Sequence, residues 1–247
     1  MLRKTLFRTT ALLAALGGFA LTAVPAAASG DYITTTGGAD ISWPQCGQPL
    51  PSIDGNSFGI VGVNNGQTFT MNPCFQQEWS WMQAGGAAPA SLYINMDFGV
   101  TSDGYDSCAA DDPICGAYDY GYKAAEFAYT RANYETNGGS LKASTWWLDV
   151  ETMSDWNDNP ALNALVVSGA IDYLKTTGHH IGVYSTRRQW NEITGGWNPG
   201  PGIGNWVAGA DSLDDFSLCS ASIWDGAPVW VVQYLNLDID LDQDRSC

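Results

Sequence analysis

The stretch "TWWLDVET", Thr145 to Thr152, begins as a run of apolar residues and ends with two carboxylates, Asp149 and Glu151. A short run that is almost continuously apolar is typical of a strand buried on both faces, as in a parallel sheet. Residues i and i+2 of a strand point to the same face, with α-carbons about 6.5 Å apart. The stretch therefore predicts a buried parallel strand whose carboxyl end presents two acids to one cavity.

Similar short runs occur along the rest of the chain, namely "ADISW", "FGIVGVNN", "SLYINMDFG", "HIGVYST", "NWVAGA" and "PVWVVQY". Helical patterns lie between several of them, at 74–86, 116–139 and 159–178. The second predicts a buried stripe of Tyr118, Tyr122, Ala125 and Tyr129, and the third begins with Asn159 as cap and Pro160 at the first helical position. Alternation of strands and helices predicts an α/β fold, specifically a single-domain, irregular TIM-like β/α barrel, because little helix separates the last strands.

The first 28 residues have the pattern of a secretory signal peptide, with Arg3, Lys4 and Arg8 before an apolar run and then small residues. We therefore expect a barrel domain at 29–247, secreted and free of the membrane after cleavage. The chain has 26 Asp and Glu against 10 Lys and Arg. Loss of three basic residues and no acids with the signal peptide takes the formal charge from −16 to −19. Such a surface repels nucleic acid.

All six cysteines follow the signal peptide, and an even number in an exported chain favours disulfides. Six cysteines allow 15 connectivities. We expect neighbours in sequence to pair, as Cys46–Cys74, Cys108–Cys115 and Cys219–Cys247.

Active sites of β/α barrels lie at the carboxyl ends of the strands, where Asp149 and Glu151 are expected. Two adjacent carboxylates beside an apolar wall such as Trp146 or Trp147 have different pKa values, so that one stays protonated near neutral pH. This arrangement suits glycosidic bond cleavage, which needs an acid and a second carboxylate. The alternative is that both acids are solvated residues at an ordinary strand end.

Other residues carry weaker signals. Eleven tryptophans include several in predicted loops that suit sugar rings: Trp43, Trp156, Trp190, Trp197 and Trp224. Arg187 and Arg188 follow a strand end, where they either hold a substrate carboxylate or are surface residues.

His179 and His180 lack a third ligand nearby, so we expect no metal and no cofactor. The alternating acids at 238–244 indicate an irregular, solvated tail or a cation site.

Five motifs resemble those of glycoside hydrolase family 25, the lysozyme-type muramidases, or of a closely related secreted glycoside-hydrolase-like domain. "GADISWPQ" resembles that family's opening G-x-D-[VI]-S-x-x-Q, and "LDVE" resembles its D-x-E strand end. "GVYST" with Trp190 resembles its G-x-Y-[ST] strand followed by Trp. "WVVQY" and "IDLD" resemble its closing W-x-x-Q-Y and V-D-x-N.

The resemblance implies Glu151 as general acid and Asp149 as its partner carboxylate, which acts as nucleophile or assists the substrate's acetamido group. It also implies a set of substrate-binding residues: Asp40, Asp97, Asp240 (with Asp238 as the alternative alignment), Tyr184 and Gln233. The implied substrate is the β-1,4 bond of peptidoglycan or of a related aminosugar glycan, and we expect a monomer.

One departure supports a second hypothesis. Asn65 in "VNNGQ" occupies the position where the family usually carries the acid of a Thr-Glu-Gly. The alternative to an enzyme is therefore a non-enzymatic glycan-binding or cell-wall-binding protein on the same fold.

Overall fold

The computed structural model describes residues 32, 36–53, 57–84, 90–99, 108–109, 111–143, 145–212, 214–236 and 241–247. The predicted signal peptide lies outside them. Eight strands form a closed barrel. They are β1 (Gly37–Ile41), β2 (Phe58–Gly62), β3 (Ser91–Asn95), β4 (Thr145–Asp149), β5 (His180–Ser185), β6 (Ile203–Ala208), β7 (Val229–Asn236) and β8 (Leu241–Ser246).

Four α-helices accompany the described strands: α1 (Phe75–Met82), α2 (Pro113–Glu135), α3 (Pro160–Lys175) and α4 (Arg187–Thr194). The cap predicted for α3 is present, because the Asn159 side chain accepts a hydrogen bond from the Ala161 amide at 3.1 Å. Within the described residues, no helix has the length and apolar character needed to cross a bilayer.

Strands β1 to β7 pair in parallel and in sequence order, and β8 closes the barrel antiparallel to both β7 and β1. The predicted irregular barrel is confirmed. The predicted solvated tail is wrong for 241–246, which forms β8 and buries Asp244 completely. The polar composition misleads because Asp244 is buried with the Trp206 indole as its hydrogen-bond donor and Asp242 lines a cavity at the end of the barrel. Asp238 and Asp240 lie outside the described residues.

All three predicted disulfides are present: Cys46–Cys74, Cys108–Cys115 and Cys219–Cys247, with α-carbons 5.5–5.6 Å apart. The last one joins the short 3₁₀ helix Ser217–Ser220 to the residue that follows β8. It therefore fixes the strand that closes the barrel.

The stripe predicted for α2 is only partly correct. Ala125 is buried, but Tyr118, Tyr122 and Tyr129 are half-buried. The buried face instead contains mostly small residues, because α2 and α3 approach closely at Gly121 and Gly169. A Cβ on Gly121 would lie 1.7 Å from the Val166 carbonyl oxygen, so the tyrosines are confined to the flanks of the contact.

The core has two layers because successive residues of a strand point to opposite faces. Trp146 and Leu148 pack with helix residues such as Val166, outside the barrel. Trp147 packs inside it with side chains of other strands, including Trp206 and Trp230. Bulky aromatics thus fill the interior below the carboxyl ends of the strands and leave those ends as the floor of a cavity.

Gly182 makes room for the Trp147 indole, since a Cβ there would lie 2.1 Å from the ring. We expect Gly182→Ala to lower the free energy of unfolding by about 1–3 kcal/mol through overpacking. Chemical denaturation measures this loss. The matched control is Gly37→Ala in β1, whose Cβ would meet no atom within 4 Å. Equal stability of the two variants would contradict the packing argument.

Candidate active site

The carboxyl end of β4 positions the two acids predicted from the sequence. Asp149 is the last residue of the strand and Glu151 follows two residues later, so both side chains reach the same cavity of about 430 Å³. The inward face of β4 holds Trp147 below them. Trp146, the other tryptophan proposed as an apolar wall, faces the helices instead.

Asp149 is almost fully buried, and Asn95 at the end of β3 donates a hydrogen bond to its Oδ2. Burial raises the pKa of Asp149 well above its ordinary value, and the charge of Glu151 raises it further. The Asn95 hydrogen bond opposes this shift. The Asp149 Oδ1 atom is buried without a hydrogen-bond partner in the described structure, as expected for a group that meets a ligand or carries a proton.

Glu151 is more open than Asp149, and burial also raises its pKa. Its Oε1 accepts a hydrogen bond from Gln189 Nε2 at 3.2 Å, which lowers the pKa and so partly offsets burial. Trp156 donates its indole N–H to the Glu151 carbonyl oxygen at 2.8 Å, which fixes the backbone after the strand. Both members of the pair therefore favour the protonated form more than free carboxyls do.

A chain of hydrogen bonds crosses the cavity floor from β5 to β1. The Tyr184 hydroxyl donates to Gln233 Oε1 at 2.7 Å, and Gln233 Nε2 donates to Asp40 Oδ2 at 3.0 Å. Burial raises the pKa of Asp40 to about 8, with a further contribution from the charge of Asp242. Three predicted substrate-binding residues, Asp40, Tyr184 and Gln233, are thus brought together on the cavity floor.

Strand β8 supplies acids that face Asp40. Asp242 is the register partner of Asp40 and lines the cavity. Asp244 lies below, where Trp206 donates its indole N–H to Oδ1 at 2.8 Å and where it also hydrogen-bonds Asp40. Asp240, predicted from the resemblance as the last-strand acid, lies outside the described residues. Within those residues the cavity acid of β8 is Asp242.

Asp97 lines the cavity, but its carboxylate is already engaged. Oδ2 accepts from the Thr68 amide at 2.9 Å, and Oδ1 accepts from the hydroxyls of Thr68 and Tyr120. These bonds join β3 to α2 and to the loop after β2. The structure therefore places this predicted substrate-binding residue where it braces the cavity wall.

The described lining of the cavity is strongly acidic. It includes six carboxylates and no Lys, Arg or His; the six are Asp40, Asp97, Asp149, Glu151, Asp155 and Asp242. Arg187 and Arg188, considered above for a substrate carboxylate, do not line it: Arg187 pairs with Asp225 at 2.9 Å and Arg188 with Glu192 at 3.5 Å. The site can therefore stabilise positive charge and supply protons.

Among the five tryptophans considered for sugar binding, Trp43 lines the cavity and is 42% exposed. It belongs to the 3₁₀ turn Trp43–Gln45 directly after β1. Trp190 and Trp224 are buried and pack on each other, and Trp197 stacks on Trp190. Trp43 is thus the candidate for contact with a sugar ring.

The described residues contain one group of three potential metal ligands, Cys46, Cys74 and Glu78. The two sulfurs form a disulfide, so they are not the thiolates that bind metal ions. His180 opens β5 at the end remote from the cavity, as expected from the sequence.

Comparison with known proteins finds similar sequences among the lysozymes. A family model described as "Lysozyme-like protein 1" matches residues 114–206. "Probable GH family 25 lysozyme 4" of Dictyostelium discoideum is 38% identical over 89 residues, which cover 35% of this chain and 39% of that protein. "Probable GH family 25 lysozyme 2" of the same organism is 33% identical over 135 residues, which cover 52% of this chain and 58% of that protein.

The chain is related to the family 25 lysozymes.

Solved structures related to these lysozymes share the fold over most of this chain. The muramidase from Trichobolus zukalii superposes with a TM-score of 0.58 at 16% identity, covering 86% of this chain and 93% of that one. A family 25 glycosyl hydrolase from Bacillus anthracis gives 0.54 at 15% identity, covering 86% and 89%. The sequence matches span 39% and 58% of the two Dictyostelium lysozymes. Over the rest of the chain, the similarity to solved structures at 15–16% identity shows a shared fold alone.

Sequence reasoning missed four residues of this candidate site: Asn95, Gln189, Asp242 and Asp244. Asn95 had a signal, because it ends a predicted strand in "LYINMD" and carries an amide at a strand end. Asp242 and Asp244 were predicted only as members of a solvated tail or of a cation site. Gln189 had no signal, since a glutamine at the start of a surface helix is ordinary in sequence.

Proposed function

We propose that this protein is a secreted glycoside hydrolase that cleaves the β-1,4 bond between N-acetylmuramic acid and N-acetylglucosamine in peptidoglycan. The observation that carries the proposal is the pair Asp149 and Glu151, which share one cavity at the carboxyl ends of the strands, both with raised pKa values. The predicted signal peptide and the three disulfides support secretion.

Glu151 is assigned as the general acid that protonates the leaving glycosidic oxygen. It is the more open member of the pair, whereas Asp149 lies deeper and is held by Asn95. A carboxyl with a raised pKa carries its proton near neutral pH, as a general acid must. The hydrogen bond from Gln189 keeps this carboxyl in one orientation.

Asp149 is assigned as the partner carboxylate. Positive charge develops on the sugar ring as the glycosidic bond breaks. That charge favours the ionised form of Asp149, and the mutual repulsion of the pair then keeps the proton on Glu151. Whether Asp149 acts as nucleophile or aids the substrate's acetamido group, the charge it must stabilise is the same.

The acidic lining supports a reaction through a cationic transition state. Asp40 and Asp242 lie across the cavity from the pair, on β1 and β8, and their charges act on Asp149. The described lining holds six carboxylates and no cationic side chain, so its charge disfavours a developing anion of the kind formed in acyl transfer. The arrangement therefore favours glycoside hydrolysis over acyl transfer.

Trp43 is proposed to stack on a sugar ring at the mouth of the cavity. Its indole lies over Gly66, where a Cβ would come within 3.1 Å of Nε1, so the loop after β2 supports the ring. We expect Trp43→Ala to raise KM about fivefold with kcat little changed, because one aromatic contact contributes about 1 kcal/mol. Steady-state kinetics on soluble peptidoglycan fragments measures this. Tyr134→Ala, which removes an exposed ring on α2, is the matched control.

The test of the proposed function is release of reducing sugar ends from purified peptidoglycan by the mature protein. Release of muramic acid ends supports the muramidase assignment. Binding to insoluble peptidoglycan without release would instead support the alternative of a non-enzymatic glycan-binding protein. Protein with neither activity would contradict both hypotheses. Sedimentation in the same buffer checks the expected monomer.

A further inference from the structure

Gln189 lies behind the proposed acid, at the start of α4, and does not itself line the cavity. Its side chain is 8% exposed, although it is polar and near a helix terminus. The backbone there is fixed, because the Thr186 hydroxyl accepts the Gln189 amide at 3.1 Å as the helix cap. A buried amide at a fixed position must satisfy its hydrogen bonds with particular partners.

Both ends of the Gln189 amide are used. Oε1 accepts from the Thr152 backbone amide at 2.7 Å and from the Thr152 hydroxyl at 3.0 Å. A backbone N–H can only donate, so the atom facing it must be the oxygen of Gln189. The NH₂ group is therefore the end that faces Glu151, and it donates to Oε1 at 3.2 Å.

This orientation decides which oxygen of Glu151 carries a proton. Nε2 has no lone pair to accept with, so Glu151 Oε1 must be the acceptor in this bond. The carbonyl oxygen of a neutral carboxyl is its stronger acceptor, so the bond to Oε1 favours the form of Glu151 with the proton on Oε2. An acid whose proton is confined to one oxygen needs no reorganisation before it transfers that proton.

We propose that Gln189 is a positioning residue that holds the Glu151 carboxyl with Oε1 as acceptor and Oε2 as the proton-bearing oxygen. The inference rests on the proposed function, because it assigns a supporting residue to the same acid. Thr152 belongs to the arrangement, since it sets the orientation of the amide.

The effect of Gln189 on the pKa of Glu151 can be distinguished from the effects of the charged groups nearby, because substitution of Gln189 leaves those groups in place. Asp149 on β4 and Tyr184 on β5 interact electrostatically with Glu151. On α4, Arg187 pairs with Asp225 and Arg188 with Glu192. Loss of the Gln189 donor removes a bond that favours the carboxylate, so the pKa of Glu151 rises.

The experiment compares Gln189→Met, which removes the amide at similar volume, with Gln189→Glu, which keeps an acceptor for Thr152. A general acid loses activity as pH rises through its pKa, so the basic limb of the kcat profile is expected to move to higher pH in both variants. In Gln189→Met, we expect kcat to fall about tenfold at pH values below the basic limb, which is less than the roughly 10²–10⁴ that a general acid contributes. We expect KM to change by less than about twofold. Arg188→Gln, on the exposed face of α4, is the control.

A second readout does not depend on activity. The chain has five glutamates, Glu78, Glu126, Glu135, Glu151 and Glu192. Labelling glutamate side-chain carboxyls with ¹³C gives five NMR signals in the parent and in Gln189→Met and six in Gln189→Glu. The Glu151 signal is assigned in each protein by its loss when Glu151→Gln is added. We expect its titration to move to higher pH in Gln189→Met and further in Gln189→Glu, where a second carboxylate faces it.

The kinetic and NMR measurements together distinguish failure of the proposed function from failure of the positioning role of Gln189. If the parent protein releases no sugar ends but the Glu151 signal shifts, the positioning role stands and the proposed function fails. If both variants fold, as thermal melting reports, and neither the signal nor the basic limb moves, the inference is overturned. Lower kcat with an unmoved limb would also overturn it. Should Gln189→Met not fold, Gln189→Glu carries the test alone, because it matches Gln189 in shape.

Discussion

Glu151→Gln is expected to lower turnover of peptidoglycan by roughly 10²–10⁴, the contribution of a general acid. Glutamine has the shape of glutamate and keeps an oxygen that can accept from Gln189 Nε2, so the local hydrogen bond survives. What is lost is the transferable proton. Reducing-end release at matched protein concentration measures the effect, and we expect binding to insoluble peptidoglycan to be retained.

Two variants complete this test. Asp149→Asn removes the partner charge and is expected to lower kcat, with its hydrogen bond to Asn95 altered but its shape preserved. Glu192→Gln changes an exposed glutamate that pairs with Arg188 on α4, and we expect activity equal to that of the parent. Full activity in Glu151→Gln would show that another group protonates the leaving oxygen, and the catalytic assignment would be abandoned.

The buried acids of β1 and β8 are expected to make the protein less stable as pH rises from about 4 to about 8. Burial raises the pKa of Asp40 to about 8, and burial together with the charge of Asp40 raises that of Asp244. Their ordinary value in an unfolded chain is about 3.9. Between the two values the folded state binds more protons than the unfolded state, so the free energy of unfolding falls with rising pH.

Asp244→Asn should remove much of this dependence. Asparagine keeps an oxygen for the Trp206 indole and mimics the protonated carboxyl that hydrogen-bonds Asp40. Stability is expected to match the parent near pH 4 and to exceed it at pH 8, because the variant lacks one group that binds a proton more tightly in the folded state than in the unfolded chain. Each pH unit over which the two states differ by one bound proton contributes about 1.4 kcal/mol.

Urea denaturation at a series of pH values measures both curves. Asp158→Asn, at an exposed position before α3, is the control and should give a curve parallel to that of the parent. Parent stability that rises from pH 4 to pH 8 would refute the prediction, as would equal slopes for the parent and Asp244→Asn.

Much of the fold was predictable because its signals are local. Continuous apolar runs predicted β1 to β7, since strands covered on both faces leave no polar positions. The α3 cap followed from Asn159 and Pro160, which act within one turn. Sequence failed at α2, where the close approach of Gly121 to the Val166 carbonyl decides which face is buried. That contact joins residues 45 positions apart and leaves no periodic signal.

The candidate site also combines residues that local sequence predicts with residues that only tertiary packing brings into place. The position of Asp149 and Glu151 on one face follows from strand alternation, which spans two residues. Gln189 contacts Glu151 across 38 residues, and its neighbours in sequence do not distinguish it from any other surface glutamine. Its place behind the acid exists only once α4 packs next to the end of β4.

The sequence by itself predicted a β/α barrel, disulfides between cysteines that are neighbours in sequence and a pair of acids at one strand end, because each rests on neighbouring residues or on composition. Tertiary structure alone decided that 241–246 is a barrel strand and not a solvated tail. It also decided that Gln233 donates to Asp40 across 193 residues. The physical reason is closure: a strand of alternating acids is stable in the barrel only when neighbouring strands supply hydrogen-bond partners and burial raises the pKa values of the acids.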